Sequence, residues 1–483
     1  MSDAPSIVWF RLDLRLSDNP ALTAAAKRGR ALVPLFILDD EEADEWAIGG
    51  ASRWWLHHAL EALASELRDH GGDLILRQGP AERVLDEVIA ETGAEAVYWN
   101  RRYEPWAIAR DGKIKDRLKK DGMAVESFNG ALLTEPWELK TGQGGPYKVF
   151  TPYWKAVRAA GEIPEPLPMP DEMTFISKTP QSDRLMDWDL LPSKPNWAAA
   201  FPDTWTPGSE GATGRLSDFL DDAVFAYKDQ RNAPGQPGTS RLSPHLHFGE
   251  ISPRQIWHAA IAKNLAETGE PMSGGVMTFL SEVVWREFSY NLLYHFPHLP
   301  KDPLKTEFAA FPWIDDPAGL KAWQTGMTGY PIVDAGMREL WTTGWMHNRV
   351  RMITASFLIK DLMIHWSEGE AWFWDTLVDA DLASNSASWQ WVAGSGADAS
   401  PYFRIFNPVL QGEKFDPDGT YVRRWVPELA DLPDKVMHAP WEASPVELQA
   451  AGITLGQTYP ERIVNHASAR DRALAAYKAL KAA

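Results

Sequence analysis

The sequence predicts two architectures in one chain: an N-terminal α/β region with a doubly wound, parallel, five-stranded sheet, then an all-α C-terminal region. Three observations carry this reading. From Ser6 to about Phe128 short apolar runs alternate with amphipathic segments, from about Asn129 to Gly211 Pro and Gly interrupt any periodicity, and after Gly211 strand signals vanish. With 483 residues the chain is also too long for one typical domain. The expected organisation is an α/β domain over residues 1–130, a long connector over 131–211, and a helical domain over 212–483.

In the first region, strands are expected at Ile7–Phe10, Ala31–Leu38, Asp73–Arg77, Ala96–Asn100 and Ala124–Phe128. Helices fall between them at Asn19–Arg28, Ser52–His70, Ala81–Thr92 and Trp106–Asp121. In the second helix, Leu56, Leu60, Leu63 and Leu67 recur at steps of three and four and share one face. Alternating strands and helices call for parallel pairing, and ligands on such sheets favour the carboxyl ends of the strands. The loop from Arg11 to Pro20 has no G-x-G-x-x-G, which argues against a nicotinamide-dependent dehydrogenase.

The connector is rich in turns, as in Gly142-Gln143-Gly144-Gly145-Pro146 and Ile163 to Pro170. Its segment Lys148 to Trp154 is apolar enough to dock. Beyond it, helices are expected at Leu216–Tyr227, Ser252–Ala266, Ser273–Tyr294, Asp316–Gly326, Ile332–Thr343, His347–Trp366, Glu370–Val378 and Ala467–Lys481.

Composition narrows the function. The absence of cysteine excludes disulfides, thiolate-zinc sites and cysteine-ligated iron–sulfur clusters. No secretory leader or membrane span is evident, so a soluble, cytoplasmic protein is expected. The net charge of −18 argues against a general polyanion binder but leaves room for a local basic patch. The 24 tryptophans outnumber the 12 tyrosines and the 19 phenylalanines, which points beyond packing to stacking or redox chemistry.

Four stretches carry candidate chemistry. Gly238 to Pro244 offers hydroxyls and Arg241 near a helix start, a pattern that serves either a phosphate or an ordinary N-cap; Tyr227 and Arg231 lie just upstream. Glu282, Trp285 and Arg286 share a helical face, as a ligand-facing set or a plain ion pair. His245-Leu246-His247 lacks the partners of a metal site and reads as packing, so no metal is expected. The stretch from Gly344 to Trp391 mixes indoles with Arg351, Asp379 and Asn385, polar groups that are costly to bury without partners. Trp313, Trp366 and Trp389 could pass electrons if the fold brought them into file.

Taken together, Gly238–Pro244, Glu282–Phe288, Gly329–Ala335, Gly344–Met352 and Asp379–Trp391, running on into Pro401–Pro408, resemble the photolyase/cryptochrome family over nearly the whole chain, and within it the cyclobutane pyrimidine dimer photolyases. The resemblance implies FAD, contacted by Tyr227, Thr239, Ser240, Arg241, Leu242, Ser243 and Arg286. It also implies that Arg351 pairs with Asp379 beside the ring, that Asp381 accepts from the isoalloxazine, and that Asn385 faces flavin N5. UV-damaged DNA is the implied partner of a monomeric enzyme, with the dimer flipped into the pocket. There Trp285 and Trp391 would stack on the bases, Glu282 and Asn348 would hydrogen-bond them, and Met352 would pack against them. Arg231, Arg349 and Arg404 would meet the DNA backbone, and Trp389, Trp366 and Trp313 would photoreduce oxidised FAD. Trp341 is an additional indole near this set.

Trp345-Met346-His347-Asn348-Arg349 is similar to the dimer-repairing branch, and Gly50 to Leu56 resembles plant cryptochromes and the bacterial class III photolyases nearest to them. The implied antenna is 5,10-methenyltetrahydrofolate, with 8-hydroxy-deazaflavin as the alternative, although Tyr103-Glu104-Pro105-Trp106 lacks the Asn-Glu pair of class I folate sites. A cryptochrome-type blue-light receptor and a dark electron-transfer flavoprotein are the competing functions.

Overall fold

The computed structural model describes residues 4–398 and 403–482; Pro401 and Tyr402 of the last resemblance motif lie outside them. The chain packs as two compact units that are not colinear with the three expected segments. One unit comprises Met1–Asp222, Ser240–Pro297 and Val378–Leu382, the other Ala223–Thr239, His298–Leu377 and Ala383–Ala483.

In the first unit, strands β1 (Ser6–Phe10), β2 (Leu32–Leu38), β3 (Ile75–Gln78), β4 (Ala96–Asn100) and β5 (Ala124–Phe128) form one sheet in the order β3-β2-β1-β4-β5. Every pairing is parallel, with Ile7 beside Val33 on one side and Val97 on the other. Four helices alternate with them: α1 (Pro20–Lys27), α2 (Gly50–Asp69), α3 (Ala81–Thr92) and α4 (Pro105–Lys120). The start of α1 is set by Asn19, whose side chain accepts the Leu22 N–H at 3.1 Å, with Pro20 at the first helical position. Leu56, Leu60, Leu63 and Leu67 of α2 are all buried, as their spacing requires, each contributing about 1.5–3 kcal/mol. Trp9 and Trp99 meet edge to face at 5.8 Å within the core under the sheet. At the carboxyl ends of β1 and β4, where the strand order reverses, Arg11 is tied to Asp111 and to the Asn100 carbonyl, and Arg110 lies 3.2 Å from Asp39.

The connector supplies α5 (Phe150–Ala159), which docks as its apolar face requires, with Phe150, Tyr153 and Val157 buried. Next come α6 (Ser209–Asp221), α7 (Tyr227–Gln230), α8 (Ser243–His247), α9 (Pro253–Thr268) and α10 (Gly274–His295). The helix expected at Leu216–Tyr227 is thus two helices: α6 starts earlier and stops at Asp221, and Tyr227 opens a separate short turn.

The remaining helices are α11 (Pro317–Gln324), α12 (Pro331–Thr343), α13 (Asn348–Ser356), α14 (Trp366–Thr376), α15 (Leu382–Ala393), α16 (Pro408–Phe415), α17 (Thr420–Trp425), α18 (Pro445–Ala450) and α19 (His466–Ala482). A single helix over His347–Trp366 is not formed. After α13 the chain makes a π-turn at Phe357–Asp361, reverses at Met363 with φ 57°, and restarts at Trp366. Glu370 lies inside α14, which already begins at Trp366, rather than opening a helix of its own. No helix among the described residues is long and apolar enough to cross a membrane.

Candidate functional site

In the first unit, the long helix α10 brings the acid, the indole and the guanidinium together. Glu282, Trp285 and Arg286 form a half-buried stripe, while Val283, Val284, Glu287 and Phe288 are buried. Phe150 of α5 stacks on Trp285 at 3.8 Å and 8°, so the docking segment of the connector covers one face of that indole. Arg286 donates to the Ala131 carbonyl at 2.8 Å and lies 4.8 Å over the Tyr290 ring. Glu287 accepts the Leu133 N–H at 2.8 Å; burial pushes its carboxyl up to about 7 against the opposing charge of Arg286.

Asp381 is the charged centre of this set. It is buried and accepts the Tyr290 hydroxyl at 2.5 Å. Burial pushes its carboxyl up, but His247, 3.6 Å away, together with Arg286 and the Tyr290 hydroxyl, outweighs that and holds it well below the usual carboxylate range. The His-Leu-His motif therefore serves the fold: His247 stands beside Asp381, and His245 pairs with the buried Glu250, which also accepts Trp55 Nε1 at 2.9 Å. Arg241 sits at φ 50° between half-buried Ser240 and buried Leu242, with Ser243 exposed; Asp379 is buried. In α2, His57 Nε2 and His58 Nδ1 lie 3.5 and 3.1 Å from the Glu61 carboxylate.

In the second unit, Tyr227 is buried, with the Arg231 guanidinium 5.5 Å over its ring. Thr239 is half-buried after Gly238, where a β-carbon would come within 2.9 Å of Gln230. At the start of α13, Asn348 is exposed, and Arg349 donates to the Asn232 Oδ1 at 2.7 and 3.2 Å while lying 4.5 Å over Phe415. Burial, and then the charges of Arg231 and Arg404, lower the Arg349 pKa, so each of these two guanidiniums lies close enough to Arg349 to repel it. Half-buried Met352 has its Sδ 3.7 Å from Arg349, and Arg351 donates to the Met346 carbonyl at 2.7 Å.

Helix α15 carries Asn385, Trp389 and Trp391. Asn385 Nδ2 donates to the Glu370 carbonyl at 3.0 Å, and Ser386 donates to the Glu370 carboxylate at 2.5 Å. Trp391 is half-buried and donates to the Asp398 carbonyl at 3.2 Å. Trp389 packs against Phe373 at 5.0 Å and Trp323 at 6.2 Å. It also lies over Gly369, one helical turn beyond Trp366 on α14. Trp389 and Trp366 are buried, and Trp313 is half-buried. Trp341 is 49% exposed and stacks on Trp372 at 6.0 Å and 7°.

Sequence reasoning missed Tyr290, Glu287 and Phe150. Tyr290 was findable, since it lies four residues beyond Arg286 and one turn along the same face. In the sequence Phe150 stands out only as one member of the apolar run Lys148 to Trp154.

A profile described as "DNA photolyase" matches residues 6–171, and one described as "FAD binding domain of DNA photolyase" matches residues 279–479. The deoxyribodipyrimidine photo-lyase of Agrobacterium fabrum is 55% identical over 483 residues, 100% of this chain and 99% of that one. The chain belongs to the photolyase/cryptochrome family. Among its photolyase-family relatives, Cryptochrome-1 of Arabidopsis thaliana is 41% identical over 97% of this chain and 69% of the plant protein. The crystal structure of a class III photolyase from Agrobacterium tumefaciens superposes with a TM-score of 0.96 at 55% identity, covering 100% of this chain and 99% of that one. Parallel sheet, helical FAD-binding region and photolyase fold agree with what the sequence predicts.

Proposed function

We propose that this chain repairs cyclobutane pyrimidine dimers in DNA under light, as a deoxyribodipyrimidine photo-lyase of the class III kind. The observation that carries the substrate is the arginine cluster. In a protein of net charge −18, Arg231, Arg349 and Arg404 concentrate positive charge beside exposed Asn348, as binding a phosphate backbone near a flipped lesion requires.

The residues fit FAD. Asp381 is kept ionised in a buried setting and can accept from a ring N–H, Asn385 is held by its bond to the Glu370 carbonyl with an amide able to donate or accept at the ring, and Arg241 and Ser240 stand in a turn suited to phosphate. When bound, reduced FAD supplies the light-driven electron for dimer splitting and takes it back. The chain's own work is to bind and to orient. Glu282 and Asn348 hydrogen-bond the dimer and Met352 packs on it. Trp391 stacks on it, and so does the face of Trp285 that Phe150 leaves free. A donor aimed at the carbonyl that gains negative charge stabilises that charge most in a water-poor site. Arg351 and Asp379 flank the ring, and Trp389, Trp366 and Trp313 form the electron exit.

For the antenna we propose a folate, 5,10-methenyltetrahydrofolate, over 8-hydroxy-deazaflavin. Tyr103 to Trp106 are engaged within the protein: Tyr103 donates to Glu135 at 2.8 Å, Glu104 pairs with Arg102, and Trp106 lies between Arg102 and Arg110 at 4.7 and 5.0 Å. The absorption spectrum of the purified protein identifies the antenna.

The deciding experiment is loss of a defined dimer in an oligonucleotide incubated with reduced protein in light and in darkness. Repair in light alone is expected. No loss of dimer with an intact flavin refutes the repair reading in favour of a receptor, and turnover in darkness favours an electron-transfer flavoprotein.

A further inference from the structure

We infer that His365 is a positioning residue of the electron exit: a neutral imidazole seated between Trp366 and Trp313 that lets a positive hole pass outward and blocks it when protonated. The inference rests on the reading of these indoles as the exit.

The geometry is direct. The His365 ring meets Trp313 edge to face at 5.0 Å and 75°, and Trp366 at 5.3 Å and 32°. Its Nδ1 accepts the Ser367 N–H at 3.2 Å, capping α14, and stands 2.7 Å from Ser367 Oγ. With Nδ1 accepting, the neutral ring carries its proton on Nε2. Trp366 is 1% exposed and Trp313 is half-buried, so the step across His365 is where the exit leaves the interior.

In that step one electron moves from Trp313 to oxidised Trp366, leaving Trp366 reduced and Trp313 as the cation; His365 exchanges no electron. An oxidised indole beside an imidazolium is two positive charges in a partly buried setting, and both the donor and the acceptor indole touch the ring. Burial lowers the His365 pKa, so the ring is neutral at neutral pH and charges only on acidification below the ordinary imidazole range. The neighbouring segments carry Asp315 and Asp316 after Trp313, Glu368 on α14, Asp361 paired with His466, and, on α19, which packs into the same cluster as Trp313, Asp471, Arg472, Lys478 and Lys481. None of these is among the causes of its shift, which is burial alone.

The test is flash photolysis of the FAD-loaded full chain, reading the yield of long-lived oxidised indole from about pH 8 to about pH 5. His365→Asn keeps an N-cap acceptor and cannot be charged; His365→Gln is the second variant should Asn lower flavin content. The wild-type yield should fall on acidification as the imidazole charges, by more than the roughly twofold within which the yield of the variants should stay. A flat wild-type profile, or the same fall in both variants, overturns the inference. Trp313→Phe separates it from the underlying reading. If that variant keeps the long-lived signal at about pH 8, the exit itself is wrong; if it loses the signal while His365→Asn retains the acid fall, only the role of His365 is wrong.

Discussion

Trp389 occupies the space in which a β-carbon on Gly369 would lie, with its Cη2 only 2.1 Å from that position. The indole is 2% exposed and held on its other sides by Phe373 and Trp323, so it has little room to yield.

Gly369→Ala should therefore destabilise the fold by about 1–3 kcal/mol and shift Trp389. Thermal melts give the first, and slower photoreduction of oxidised FAD under blue light gives the second. Trp389→Phe should abolish photoreduction while chemically pre-reduced protein still repairs dimers. Equal loss of both activities would show that Trp389 acts on the lesion instead.

Tyr290→Phe should raise the Asp381 carboxyl toward the ordinary range, since a hydroxyl bond to a buried carboxylate is lost, at about 1.5–3 kcal/mol. A depressed carboxyl pKa contributes stability above its unfolded value and loses it as pH falls. The variant should therefore unfold at higher pH than the wild type in an acid titration followed by circular dichroism, and should release FAD more readily.

Glu287 carries the opposite sign. With its carboxyl pushed up to about 7, the folded chain prefers it protonated, and stability from this group declines as pH rises from the unfolded carboxylate value toward 7. Glu287→Gln removes that decline, so melting temperatures of the variant should fall less than those of the wild type between about pH 5 and about pH 8.

Arg349→Ala should weaken binding to dimer-containing and undamaged duplexes alike and lower the salt slope of the binding constant by about one. An unchanged slope in a titration across ionic strength would place Arg349 away from the phosphates.

Strand positions were legible because short β-prone segments are closed by turn residues, and Ala96–Asn100, an apolar run, and Ala124–Phe128, a mixed one, agree to the residue. Ends slipped where caps decided them, as at Asn19, whose side chain starts α1 at Pro20. No helix is expected from the sequence over α15, because it has no continuous polar stripe: its side chains are buried on most sides. The break after α13 was invisible because Phe357, Leu358 and Ile359 continue the apolar pattern through the π-turn. For the site, motifs pointed to single residues, whereas partners such as Tyr290 for Asp381 come from packing that spacing does not encode.

The sheet-bearing unit takes in Ser240–Pro297 and then Val378–Leu382, the five-residue segment that brings Asp381 to Tyr290. A ribosome delivers these pieces in order, so the sheet-bearing unit must wait through the synthesis of His298–Leu377 before its last segment arrives. Closing so long an excursion costs entropy and time, which makes translation past Leu382 the moment at which this part of the molecule can first be complete.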